Sequence, residues 1–223
     1  MMISKPPPRP RRFRSDRHRR PRCLTFSTHA WLKFQFLCHV GPSEIGGFGL
    51  ASRDDPLFVE DFLLVRQTCT PMTASFDDVS VADLFEDMAD AGVPPSRFAR
   101  LWLHTHPGAS VEPSHTDEAT FARAFGTCDW SVMAILGRTG RMSARLRFTS
   151  GPGASVALLT RVDWSDWPTI ADQLASRVEA WQQEYVAKVR IPRPSENLFR
   201  MPNGVHAPDP FDFLPPGDWH AFQ

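Results

Sequence analysis

The sequence predicts a mixed α+β domain: a central β-sheet flanked by helices. Three observations carry this prediction. Helix-period and strand-period segments follow one another without the regular alternation of a βαβ series. Residues 130–136 are apolar apart from Ser131, the pattern of a strand covered on both faces. In 141–148, Met142, Ala144, Leu146 and Phe148 alternate with Arg141, Ser143, Arg145 and Arg147, the pattern of a strand with one wet face. A chain of 223 residues with 42% hydrophobic residues is long enough for one such domain with tails.

The elements follow in order. Residues 28–40 read as a helix with Trp31, Phe34 or Gln35, and Cys38 near one face, stopped by Gly41-Pro42. Glu44 then opens a glycine-rich strand, Glu44–Leu50, where glycines suggest a close approach by another backbone or a ligand. Asp54-Asp55-Pro56 turns the chain into a second strand within 57–66. Ser80 caps a helix carrying Leu84, Phe85 and Met88, which ends at Gly92. A buried strand follows at 100–104, then a helix at 117–126 with Phe121 and Phe125 on one face. Ile170, Leu174, Val178, Trp181 and Tyr185 form a single helical stripe over 169–189. Segments 67–79 and 107–116 read as loops that set specificity.

Charge is unevenly spread. The net charge is zero, yet residues 1–22 carry +8 and the remainder −8. The head is rich in arginine and proline and almost free of apolar side chains, so it cannot offset its ordering entropy. It reads either as a solvated extension or as an arm that attracts nucleic acid, an acidic partner or a membrane surface. No apolar core follows these arginines, which argues against a secretory signal, and no run nears the ~18 apolar residues of a membrane span. Integral membrane association is thus not expected. Four scattered cysteines without a CxxC pair exclude a disulfide scaffold and point to a reducing cytoplasm.

The chemistry concentrates in 104–117, HTHPGASVEPSHTD. On a strand, His104 and His106 share a face and can converge on one point. Pro107-Gly108 breaks the strand, and Asp117 returns a carboxylate from the first turn of the next helix. Two imidazoles and a carboxylate suit Zn²⁺ with one position left for water. Ser114-x-x-Asp117 is also a helix-capping pattern in its own right. His29 and His39 belong to a helix pattern, and neither His115 nor Glu112 joins the ligand set.

This segment matches H-x-H-P-x₆-S-x-x-D without a gap, and with Glu44 upstream it resembles the JAMM motif of the JAB/MPN-type zinc metallopeptidases, in their compact bacterial form. The resemblance runs from about residue 28 to 148. It implies an MPN/JAB-like, cytidine-deaminase-like α+β fold with the metal at one edge of the sheet. It implies that His104, His106 and Asp117 bind zinc, that Glu44 orients the attacking water and takes its proton, and that Ser114 donates to the oxyanion. It further implies cleavage of peptide or isopeptide bonds after the C-terminal tail of a ubiquitin-like protein. Two other readings remain: a non-enzymatic MPN-type binding scaffold, and a RadC-like nucleic-acid-associated protein using residues 1–22. The chain thus divides into a disordered head (1–24), a metallopeptidase domain (25–165), a helix packing on it (166–190) and an extended proline-rich tail (191–223).

Overall fold

The computed structural model describes residues 22–192, so the expectations for the head up to residue 21 and for the tail from residue 193 lie outside the described residues. In chain order the elements are β1 (Cys23–Ser27), α1 (Thr28–His39), β2 (Ile45–Ala51), β3 (Phe58–Leu63), β4 (Gln67–Thr70) and β5 (Thr73–Phe76). Then come α2 (Asp78–Asp90), α3 (Pro95–Phe98), β6 (Leu101–His106), α4 (His115–Phe125), β7 (Trp130–Gly137) and β8 (Met142–Phe148). The last are β9 (Ala154–Ala157), β10 (Leu159–Asp163), α5 (Trp167–Asp172), α6 (Leu174–Lys188) and β11 (Val189–Arg190).

Eight strands form one mixed sheet in the order β10-β1-β3-β2-β6-β7-β8-β9, and β11-β4-β5 form a second. β1 runs parallel to both neighbours, and β6 runs parallel to β7. The two end strands, β9 and β10, are joined by Leu158 alone, whose N–H donates to Ala144 O at 2.8 Å. The sheet therefore curls until its ends approach each other, and α1 packs against the face that carries Leu24, Phe26, Phe62, Leu103, Val132 and Leu136. Helix α1 starts where Ser27 Oγ accepts the Ala30 N–H, and it sinks Ala30, Phe34, Leu37 and Cys38 into this cluster. Phe34 is wholly buried, so truncation to alanine would cost about 3–5 kcal/mol.

The opposite face carries Phe48, Trp102, Met133 and Ile135, with Phe121 and Phe125 of α4 and Val81 of α2 packed over them. Strand alternation divides β6 between the two faces. Leu101 and Leu103 join the α1 cluster, whereas Trp102 joins the α4 cluster and His104 and His106 share its side.

Several expectations are corrected. Cys23 and Leu24 belong to β1 rather than to the head, because Leu24 is fully buried against α1. Asp77, not Ser80, caps α2: its carboxylate accepts the Ser80 N–H at 2.8 Å, while the Ser80 hydroxyl accepts the Arg66 N–H. Segment 67–79 is mostly a hairpin, β4–β5, not a loop. The arginine face of β8, by contrast, is half-exposed as its alternation predicts, with Arg145 paired to Glu118 at 2.6 Å and the Arg147 guanidinium 4.6 Å from the Phe121 ring centroid. The stripe over 169–189 is two helices broken at Gln173, whose N–H turns back to Ile170 O. Val178 is exposed, while Ile170 and Trp181 are buried.

Helix α6 lies against α1. Trp181 packs 5.5 Å from His29 and 5.9 Å from Phe36 between ring centroids. The buried Lys33 ammonium bridges Glu184 at 2.8 Å and Asp61 at 3.3 Å, so its charge is paired from both sides. β11 then pairs with β4, Val189 opposite Gln67.

Candidate metal centre

Three elements converge at one end of the sheet. His104 and His106 arrive from β6 with rings nearly perpendicular and centroids 5.0 Å apart. Glu44 immediately precedes β2, whose antiparallel register sets Ile45 opposite Thr105. That register carries Glu44 to the level of His106. Asp117 comes from the first turn of α4, where Ser114 and Asp117 form a reciprocal capping box. Asp117 Oδ2 accepts the Ser114 N–H at 2.7 Å, and Ser114 Oγ accepts the Asp117 N–H at 3.1 Å.

The four side chains meet. His104 Nε2 lies 3.3 Å from Glu44 Oε2 and 3.4 Å from Asp117 Oδ1. His106 Nε2 lies 3.5 Å from Asp117 Oδ2 and 3.8 Å from Glu44 Oε1. All four residues are at most 8% exposed. Glu44, His104 and His106 present donor atoms within 4.8 Å of one another, a group able to hold a metal ion.

The donor chemistry fits a divalent cation. Both Nε2 atoms are buried without a hydrogen-bond partner among the described residues, a costly state that a cation would relieve. Ligands bonded to tetrahedral zinc at 2.0–2.1 Å stand about 3.3 Å apart, close to the nitrogen–oxygen separations above. His106 Nδ1 lies 3.1 Å from Ser110 O. A carbonyl only accepts, so Nδ1 carries the proton, and in the neutral ring Nε2 turns its lone pair towards the carboxylates.

Electrostatics keep Asp117 ionised. Burial would raise the Asp117 carboxyl, but the close approach of His106, the charge at His104 and the Ser114 donors outweigh it and hold the pKa down to about 2. Burial works to lower His106, yet Asp117 and Glu44 raise it above its ordinary value. Nearby, burial first and the Glu44 charge second push the Cys69 thiol up to about 12, so it stays protonated beside the centre.

Of the remaining candidates, Ser114 adjoins the site through its capping box with Asp117, and the others stand outside the four-residue group. Ser114 is exposed at the α4 N-terminus, with its hydroxyl proton uncommitted to the capping bond. His115 and Glu112 are exposed. His29 is engaged by Asp61 and Arg177, and His39 by Gln35 O and Arg138 O. The 107–116 loop is partly structural: Val111 is buried, and its carbonyl accepts from Ser143 Oγ at 2.6 Å. Sequence reasoning missed Thr105, whose Oγ1 accepts the Ile45 N–H at 2.9 Å, and Gln67, which bonds to Gly46. Thr105 had a signal in its place between two histidines on the opposite face. Gln67 had none, because its role depends on strand pairing. No family model matches the chain, and no curated protein matches it.

Proposed function

We propose that this chain is a zinc-dependent metallopeptidase or isopeptidase of JAMM type on an MPN/JAB-like fold. Its substrate would be a peptide or isopeptide bond after the C-terminal tail of a ubiquitin-like protein. The observation that carries the reading is the meeting of Glu44, His104, His106 and Asp117, buried, with two imidazole nitrogens that lack other partners. The motif spacing and the mixed sheet with flanking helices support it.

The residues divide by how they are held. Asp117 is fixed by its capping bonds and stays ionised, which suits a permanent ligand beside His104 and His106. The Glu44 carboxylate has no hydrogen-bond anchor beyond the imidazoles among the described residues, which suits a base that must move a proton. When bound, zinc supplies Lewis acidity, making water nucleophilic near neutral pH and polarising a carbonyl. Glu44 accepts the proton of the attacking water on a carboxylate oxygen and passes it to the leaving amine. Ser114 keeps its hydroxyl proton for the oxygen that gains charge in the transition state, a donor worth about 3 kcal/mol. Free thiols at all four cysteines suit the cytoplasm as the working compartment.

The test is cleavage of a ubiquitin-like protein linked through its C-terminal glycine to a lysine side chain, with zinc added. Wild-type chain should release the tail, and Glu44→Gln, which keeps shape but loses the proton acceptor, should abolish release. Equal cleavage by the variant would end this mechanism. Stoichiometric zinc and tail binding without cleavage would make the chain a scaffold instead.

A further inference from the structure

We infer that Gln67 is a positioning residue for Glu44, and that the β4–β5 hairpin clamps the backbone from which that carboxylate projects. The inference rests on the reading of Glu44 as the base. Gln67 is 3% exposed, and its amide is fully engaged. Oε1 accepts the Gly46 N–H at 3.0 Å and the Cys69 S–H at 3.3 Å. Nε2 donates to Gly46 O at 2.8 Å and to Val65 O at 3.2 Å. Two acceptor positions and two donors are all used, so only one orientation of the amide satisfies them.

The neighbouring backbone is gripped in the same way. Glu44 N–H donates to Thr70 O at 2.9 Å, and Ile45 N–H donates to Thr105 Oγ1 at 2.9 Å. Three successive N–H groups are thus each assigned a partner, two of them on β4. The Phe76 ring of β5 lies over Gly46, so close that a β-carbon there would fall 2.9 Å from it. Gly46 is held at its edges by the amide and on its face by the ring. With no anchor of its own, the Glu44 carboxylate inherits its place from this backbone. Displacement of a reacting group by about 1 Å can cost on the order of 100-fold in rate.

A residue that merely joined two sheets would affect stability alone. Gln67→Met keeps side-chain length and removes all four bonds. In the full chain without zinc, exchange of the Gly46 amide hydrogen should accelerate at least ~10-fold in this variant, and the Ile45 amide should change less. With zinc and the cleavable substrate, kcat should fall roughly 10- to 100-fold with KM within about 3-fold. The visible spectrum of the cobalt-substituted protein should match wild type, because the ligands are untouched. Leu146→Val, a core change on β8, should leave kcat and Gly46 exchange unaltered. Should Gln67→Met fail to fold, Gln67→Glu retains the acceptor for the Gly46 N–H but not the donors, and its kcat should also lie below wild type. Unchanged Gly46 exchange, wild-type kcat in the Gln67 variant, or an equal loss in Leu146→Val would overturn the proposal. The exchange result needs no turnover, so it separates failure of the clamp from failure of the peptidase reading.

Discussion

Asp117 and Glu44 flank the same pair of imidazoles, but one is held by its immediate neighbours and the other by distant parts of the chain. Asp117 sits three residues from Ser114 in a capping box that forms wherever that helix forms. Glu44 depends on Thr70, Thr105 and Gln67, which reach it only after two sheets have assembled. A locally fixed carboxylate suits permanent ligation, and a remotely fixed one suits a group whose place must be exact while its tip stays free.

The strongest test of this contrast removes a ligand. His104→Ala should lower zinc affinity by well over 100-fold, more than the loss that removing a supporting partner causes, as read by competition with a chromophoric chelator. Next, Asp117→Asn should lose roughly 100-fold in zinc affinity, whereas Glu44→Gln should stay within about 10-fold of wild type. Equal losses in the two would make Glu44 a ligand and dissolve the contrast. Gly46→Ala, forcing a β-carbon against Phe76, should cost about 1–3 kcal/mol in urea unfolding of the zinc-free chain. Gly140→Ala, at φ +77° in a turn far along the chain, should cost about 1–2 kcal/mol and leave zinc affinity intact.

The smallest expected effect is one of pH on the zinc-free chain. Asp117 has a depressed folded pKa, so its contribution to stability is present above its ordinary value of 3.8 and is lost as pH falls through about 2. His106 has a raised pKa, so its contribution is present below 6.5 and is lost as pH rises through the folded value. The zinc-free chain should therefore be steadiest between about pH 4 and 6.5. On the proposed reading zinc would compete with the His106 proton, so the gain in melting temperature on adding zinc should grow from pH 5 to pH 8. Calorimetry with and without chelator measures it, and a constant gain would show that His106 holds no extra proton.

Legibility in the sequence follows the same division. The long apolar or amphipathic segments, α1, α4, β7 and β8, announce themselves by period, and the histidine pair with Ser114 and Asp117 lies within one short stretch. Asp77 and Ser80 carry equally good capping signals, and the choice falls to the residue whose side chain reaches the free N–H. β4 and β5 are four residues each, too short for QTCT or TASF to show a period before a partner is alongside. β9, fully exposed, and the two-residue β11 are equally silent. Gln67 looked like a loop amide for the same reason.

The order of synthesis gives β11 a further meaning. Val189 and Arg190 complete the small sheet by pairing with Gln67 and Thr68, and Lys188 Nζ reaches Leu64 O at 2.7 Å just before the hairpin. A ribosome that has already released all four site residues has yet to deliver the segment that braces one of them. The growing polypeptide thus carries Glu44, His104, His106 and Asp117 well before it carries the strand that closes the small sheet behind Glu44.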